Sequence, residues 1–140
     1  MAYWEKIQYL RKVYVINFDR INTFCYENNG RVTFWLPDCA VPIVVNPVSN
    51  LEDYRKIFEY TEYLKNAELN DAYWVKISYQ KNEYIINLNS INSFYYEENG
   101  RLTFWLPDIT QPFILHPVSN LDSYKTVVKY LQEKTGYINS

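Results

Sequence analysis

The chain has 140 residues, of which 48% are hydrophobic and 19% are aromatic, and its net charge is -2. This apolar content excludes a disordered chain, and the balanced charge gives no overall positive field that would attract nucleic acid or an anionic membrane. The N-terminal segment lacks a basic region followed by an apolar run, and no apolar stretch approaches the roughly 20 residues that cross a bilayer. We therefore expect a soluble, cytoplasmic protein with no membrane partner.

The sequence repeats itself. Residues 2–64 align with residues 72–134 without a gap, and about half of the aligned positions are identical. This predicts a tandem duplication with a first repeat over residues 1–66, a linker over residues 67–71 and a second repeat over residues 72–140. Two copies are fewer than stacking arrays need, so we expect a pseudo-dimer with a pseudo-two-fold arrangement.

The same order of elements is predicted in each repeat. The segments "YWEKIQY" and "YWVKISY" favour a first strand, and "VYVIN" and "EYIIN" favour a second. Asn29-Gly30 and Asn99-Gly100 then predict two-residue type I′ hairpins, because both turn positions require positive φ. The segments "VPIVVNP" and "QPFILHP" predict one more short strand near a sheet edge, since proline cannot donate to a central ladder.

A helix closes each repeat. Ser49 and Glu52 have the spacing of a capping box, and Ser119 and Asp122 resemble one. Apolar residues follow at helical spacing, which predicts one buried face per helix. We summarise each repeat as a β-β-β-β-α unit of the α+β class, an antiparallel sheet covered by a C-terminal helix. This order resembles part of bacterial pleckstrin-homology-like modules, and the resemblance implies no site residues.

The hairpin around each Asn-Gly pair carries aromatic residues on both predicted faces. The helix can cover only one face, so the other needs a second cover. We consider three interpretations, in order of preference: packing between the repeats, an interface between copies of the chain, and a ligand platform. The candidate interaction face consists of Phe24, Tyr26, Arg31, Thr33, Trp35, Phe94, Tyr96, Arg101, Thr103 and Trp105.

The sequence offers few residues for catalysis or metal binding. His116 is the only histidine and Asn46 replaces it in the first repeat, while the three glycines are too scattered for a phosphate loop. Cys25 and Cys39 occur only in the first repeat, and we interpret both as inert residues rather than as metal ligands or a disulfide. We expect no catalytic residue, no metal and no cofactor.

Polar residues that occur in both repeats have structural explanations. Glu27 and Arg31 lie on opposite arms of the hairpin and are expected to form a surface ion pair, as are their counterparts in the second repeat. Asn17 and Asn87 end the second strand of each repeat, where an asparagine side chain commonly bonds the backbone of a turn.

We therefore predict a non-enzymatic protein-interaction or assembly module, which binds a protein partner or associates with itself. The alternative is a binder of single-stranded nucleic acid or a small aromatic ligand through the Phe/Tyr/Trp face. Nucleic acid is the weaker choice, because few basic residues flank that face and glutamates lie among them. A steep loss of binding with salt would identify phosphate contacts.

Overall fold

The computed structural model describes residues 3–37, 41–66 and 73–138. Every strand pair in these residues is antiparallel, and two helices accompany the sheets, so the α+β class is confirmed. The elements are β1 (Trp4–Tyr9), β2 (Lys12–Asn17), β3 (Thr23–Tyr26), β4 (Val32–Leu36), β5 (Val41–Val45), α1 (Leu51–Asn66), β6 (Trp74–Tyr79), β7 (Asn82–Asn87), β8 (Ser93–Tyr96), β9 (Leu102–Trp105), β10 (Phe113–Leu115) and α2 (Leu121–Thr135).

Each half of the chain places five strands before its helix, one more than the predicted four. All five segments, including the proline-bounded one, were predicted individually as strands, and the four-strand summary left one of them out; the proline-bounded strand pairs along its length, β5 with β4 and β10 with β9. Both strands lie at the edge of a sheet, as the prolines predicted. The predicted linker, residues 67–71, lies outside the described residues.

The strands form three sheets in the described residues. One has five strands in the order β5-β4-β3-β7-β6, a second is the β1-β2 hairpin, and a third has the order β10-β9-β8. The five-stranded sheet therefore combines three strands from the first half of the chain with the hairpin that begins the second half.

The two halves meet where β3 pairs with β7. The register places Phe24 opposite Ile85 and Cys25 opposite Tyr84. A two-fold arrangement would also pair β8 with β2, but in the described residues these strands belong to different sheets. The pseudo-two-fold arrangement predicted from the sequence is thus not observed. The first half contributes β3 and the second half contributes β7, and the reciprocal β8-β2 pair does not form in the described residues.

Two apolar clusters form the core, and the β6-β7 hairpin contributes to both. Ile85 belongs to the first cluster and Trp74 packs against it, together with side chains from β1 to α1. Ile77 and Ile86 belong to the second cluster, which is otherwise built from the second half of the chain. The hairpin contributes to both clusters because successive strand residues point to opposite faces of the sheet.

The turns differ from the prediction. At the Asn-Gly pair of the first half, only Gly30 has a positive φ, of 96°, and the N–H of Glu27 donates to the carbonyl of Arg31 at 2.8 Å. The hairpin loop therefore contains three residues instead of the predicted two, which shifts the strand register by one residue. The two-residue loops with positive φ at both positions connect β1 to β2 and β6 to β7, and they contain Leu10-Arg11 and Gln80-Lys81.

Both helices begin one residue later than the predicted caps imply. The structure starts them at Leu51 and Leu121, so Asn50 and Asn120 precede the first turn instead of the two serines. The asparagine side chains accept from the N–H groups of residues 46 and 116, which fixes the turn that enters each helix. Neither helix in the described residues has the length and apolar character that a membrane crossing requires.

Candidate functional site

The ten residues of the predicted interaction face do not share one face. Because Phe34 stands opposite Phe24 and Thr33 opposite Cys25, the side chains of Phe24 and Tyr26 lie on one side of the sheet and those of Thr33 and Trp35 on the other. The second half divides in the same way, with Phe94 and Tyr96 on one side and Thr103 and Trp105 on the other, and Arg31 and Arg101 lie beside the loops.

The side that carries Phe24 and Tyr26 faces the helix. The hydroxyl groups of Tyr26 and Thr61 lie 2.6 Å apart, and the ring of Phe24 lies 5.9 Å from that of Tyr60, centroid to centroid. On the opposite side, Trp35 lines a cavity together with residues of the second half. Both sides of the hairpin in the first half therefore contact other parts of the chain.

The shared polar residues have the structural partners that the sequence predicted. Arg31 Nη2 lies 3.2 Å from Glu27 Oε1, and the equivalent Arg101 Nη2 donates to Glu97 Oε1 at 2.8 Å. The hydrogen bond and charge of Arg101 lower the pKa of Glu97. Asn17 Oδ1 accepts from the N–H of Asp19 at 3.0 Å, which caps a short 3-10 turn.

Cys25 is buried within the junction opposite Tyr84. Burial raises the pKa of its thiol to about 11, so the thiol is neutral at physiological pH and fits the inert interpretation. Cys39 lies outside the described residues. In the part of the chain that the structure describes, His116 is exposed and no three His, Cys, Asp or Glu side chains are grouped as metal ligands.

Two strands, β2 and β8, present apolar side chains to solvent. Each is the counterpart of a strand in the β3-β7 junction: β2 corresponds to β7, and β8 corresponds to β3. Val15 is 63% exposed, whereas Ile85, its counterpart in the junction, is 2% exposed. Tyr95 is 56% exposed, whereas its counterpart Cys25 is 3% exposed. These two positions are therefore buried at the junction and exposed on β2 and β8.

A cavity of about 580 Å³ adjoins β8 and α2. Phe94, Leu88 and Tyr130 supply apolar walls, and Lys134 also lines the cavity. At the corresponding place in the first half, the indole of Trp74 contacts Phe24, with ring centroids 6.3 Å apart. The counterpart of Trp74 is Trp4, which is 59% exposed. The second half thus has a cavity where the first half holds a tryptophan.

Polar contacts mark the two ends of the β3-β7 junction. The N–H of Asn87 donates to the carbonyl of Asn22 at 2.9 Å, and the N–H of Asn28 donates to Asn82 Oδ1 at 2.9 Å. The residues that correspond to Asn22 and Asn87 in the other half of the chain are also asparagines. The counterparts of Asn28 and Asn82 are charged: they are Glu98 and Lys12.

An exposed strand edge with apolar side chains can accept another strand, because backbone hydrogen bonds give affinity and alternate side chains give specificity. Sequence reasoning included Phe94 and Tyr96 of β8 only as part of a sheet face and missed β2 and the edge of β8 as a site, since it treated each repeat as a self-contained sheet. The available signal was the set of positions at which the two repeats differ, notably Lys12 against Asn82 and Asn28 against Glu98.

No family model matches the chain, and no match was found among curated proteins or solved structures. The resemblance to pleckstrin-homology-like modules therefore stays a prediction from element order.

Proposed function

We propose that this chain is a non-enzymatic protein-interaction and assembly module, built from two fused copies of a small α+β unit, which binds a protein partner through the edges of its sheets. The observation that carries the proposal is the difference in exposure between matched strands. Cys25 of β3 and Ile85 of β7 are buried at the junction, whereas their counterparts, Tyr95 of β8 and Val15 of β2, are exposed to solvent.

Free edges of this kind are a liability in a protein that acts alone. Natural sheets usually protect an edge with charged residues, proline, a bulge or a covering loop. Strand β2 instead exposes Val13 and Val15, and β8 exposes Tyr95 and Tyr96. Exposed apolar side chains of this kind favour the interpretation that a protein partner covers these edges.

The proposal can be tested by site-specific photocrosslinking in the cells that produce the protein. The photoreactive analogue benzoylphenylalanine replaces Tyr95, which is a modest change for an exposed aromatic side chain. The matched control carries the same group at Val118, which is exposed in the turn before α2. We expect protein adducts from position 95 and none from position 118. Equal yields at both positions, or no adduct at position 95, would contradict the proposal.

The cavity beside Phe94 favours a second candidate function, the binding of a small aromatic ligand. Its volume of about 580 Å³ lies within the range of small-molecule sites, and its walls are mainly apolar. This function can be tested by titration with indole, with binding detected as NMR shift changes at Tyr130 and Leu131. A Phe94→Asp variant that still bound indole would place the ligand elsewhere.

A further inference from the structure

We propose that the partner of these edges is a second copy of this chain, bound head to tail: β2 of one copy adds to β8 of the next, and Trp4 of the first copy enters the cavity beside Phe94 of the second. The inference rests on the proposed function above and identifies its partner. Its template is the β3-β7 junction, which joins two units that are identical at about half of their aligned positions within one chain.

The template determines the register of the new pair. Within the chain, Thr23 to Tyr26 of β3 stand opposite Ile86 to Glu83 of β7. Each position has its counterpart 70 residues away in the aligned sequence. The antiparallel pairs between two copies are then Ser93 with Ile16, Phe94 with Val15, Tyr95 with Tyr14, and Tyr96 with Val13.

This register buries the side chains that the isolated chain exposes. Ile85 belongs to the first apolar cluster although it comes from the second half of the chain. Val15 is its counterpart, and in the proposed pair it joins Phe94 on the side of the sheet that faces α2. The exposed Val15 side chain thereby gains the environment that makes Ile85 2% exposed.

Trp4 is placed to fill the cavity. In the chain itself, helix α1 contacts strand β6, and Trp74 of that strand lies against Phe24. The equivalent elements between two copies are α2 of one and β1 of the next. An exposed tryptophan and an apolar cavity of about 580 Å³ are therefore located at matching positions of the two ends.

The charges favour this direction of assembly. Asn28 and Asn82 meet at the internal junction, whereas Glu98 and Lys12 occupy the corresponding positions between copies. Neither charged side chain forms an ion pair within the described part of the chain. Opposite charges meet when β2 adds to β8, while pairing of two β2 strands or two β8 strands gains no such contact.

An interface between two different surfaces does not saturate in a two-fold dimer. Each added copy leaves one β2 edge and one β8 edge available, so that the assembly continues as a filament or closes as a ring.

Charge reversal on the purified full-length chain tests the proposal. Lys12→Glu and Glu98→Lys each bring like charges together, so each single variant should associate at least about tenfold more weakly than the parent at low salt. An equimolar mixture of the two variants restores a Lys–Glu pair at every interface and should recover assembly. Sedimentation velocity over a wide concentration range measures both effects. A mixture that remains as dissociated as the single variants would overturn the proposal.

Apolar variants supply the matched control. Val15→Lys changes an exposed residue of the proposed interface and should abolish assembly, and Trp4→Ala should do the same. Val118→Lys makes the identical change at an 89% exposed position away from both edges and should leave assembly unchanged. All three should retain the circular dichroism spectrum of the parent. Equal loss of assembly in Val15→Lys and Val118→Lys would contradict the proposed interface.

Failure of this inference is distinguishable from failure of the proposed function. A parent chain that stays monomeric at all concentrations overturns the head-to-tail pair. If such a chain still gives position-specific adducts to other proteins through residue 95, the interaction function stands with a different partner. If it gives none, both proposals are wrong.

Discussion

The indole of Trp74, from the second half of the chain, lies 6.3 Å from the ring of Phe24 in the first half, measured between ring centroids. This contact gives a stability prediction with an internal control, because Trp4 occupies the equivalent position in β1 and is exposed. Trp74→Ala should lower the free energy of unfolding by about 2 to 4 kcal/mol, as expected for the loss of a large packed aromatic side chain.

Trp4→Ala should change the stability of the monomer by less than about 0.5 kcal/mol, since it removes an exposed side chain. Urea denaturation in a Val15→Lys background measures both values without a contribution from association. Similar losses for the two variants would show that the equivalent tryptophans do not differ in packing.

Cys25 provides a probe of the junction. Its thiol is buried opposite Tyr84, and burial raises its pKa to about 11, so both access and thiolate formation are restricted. In a Cys39→Ser background, Cys25 should react with iodoacetamide only when the junction opens. Tyr95→Cys, in a chain without the two natural cysteines, places a thiol at the equivalent position of β8 and should react much faster. Comparable rates would mean that the junction opens readily.

The chain should lose stability at alkaline pH. Burial, together with the hydrogen bond to Asp19 and the charge of that carboxylate, raises the pKa of Tyr60 above its ordinary value. A raised pKa in the folded state means that stability is fully present below the unfolded-state pKa of about 10 and falls as pH rises beyond it. Tyr60 should contribute a decrease of up to about 1.4 kcal/mol per pH unit.

Denaturation midpoints measured from neutral pH to above pH 10 test this dependence. Tyr60→Phe removes the ionisable group and should make the alkaline slope shallower, although the variant also loses the 2.9 Å hydrogen bond to Asp19. An unchanged slope in the variant would assign the alkaline loss to other groups, such as Tyr26 and Tyr84, whose pKa values burial also raises.

The two hairpin glycines should differ in their tolerance of a side chain. Gly30 and Gly100 have φ values of 96° and 91°, so valine at either position should cost more than about 1 kcal/mol. At Gly100 an added Cβ would lie 3.1 Å from Pro117 Cγ, whereas at Gly30 the corresponding distance to Pro47 Cγ is 3.7 Å. Gly100→Ala should therefore lower the melting temperature more than Gly30→Ala. The reverse order would contradict the contact with Pro117.

The sequence predicted the elements better than their connections. Strand segments, edge prolines and the general location of each hairpin could be read from residue types and alternation. The register could not, because Asn29-Gly30 suits a two-residue loop as well as the three-residue loop that forms. That difference of one residue moved Thr33 and Trp35 to the side of the sheet opposite Phe24, and with it changed the candidate interaction face.

The loops at Leu10-Arg11 and Gln80-Lys81 were not predictable from local preference. Neither pair contains glycine or asparagine, yet all four residues have positive φ. Ladders of six residue pairs on each hairpin hold these turns, so pairing outweighs the preference of the loop residues. The β3-β7 junction could not be predicted either, since two repeats with the same order of elements give no indication of which copy of a strand pairs with which.

The covalent connection between the two units changes how their shared junction responds to dilution. Two separate units would form a β3-β7 pair only at protein concentrations above their dissociation constant, whereas two fused units meet at a high effective concentration that dilution does not alter. If the proposed head-to-tail pairing forms, fusion makes one junction independent of protein concentration and leaves the junction between copies reversible. A chain organised in this way could change its degree of association with its abundance in the cell while always retaining a folded two-unit building block.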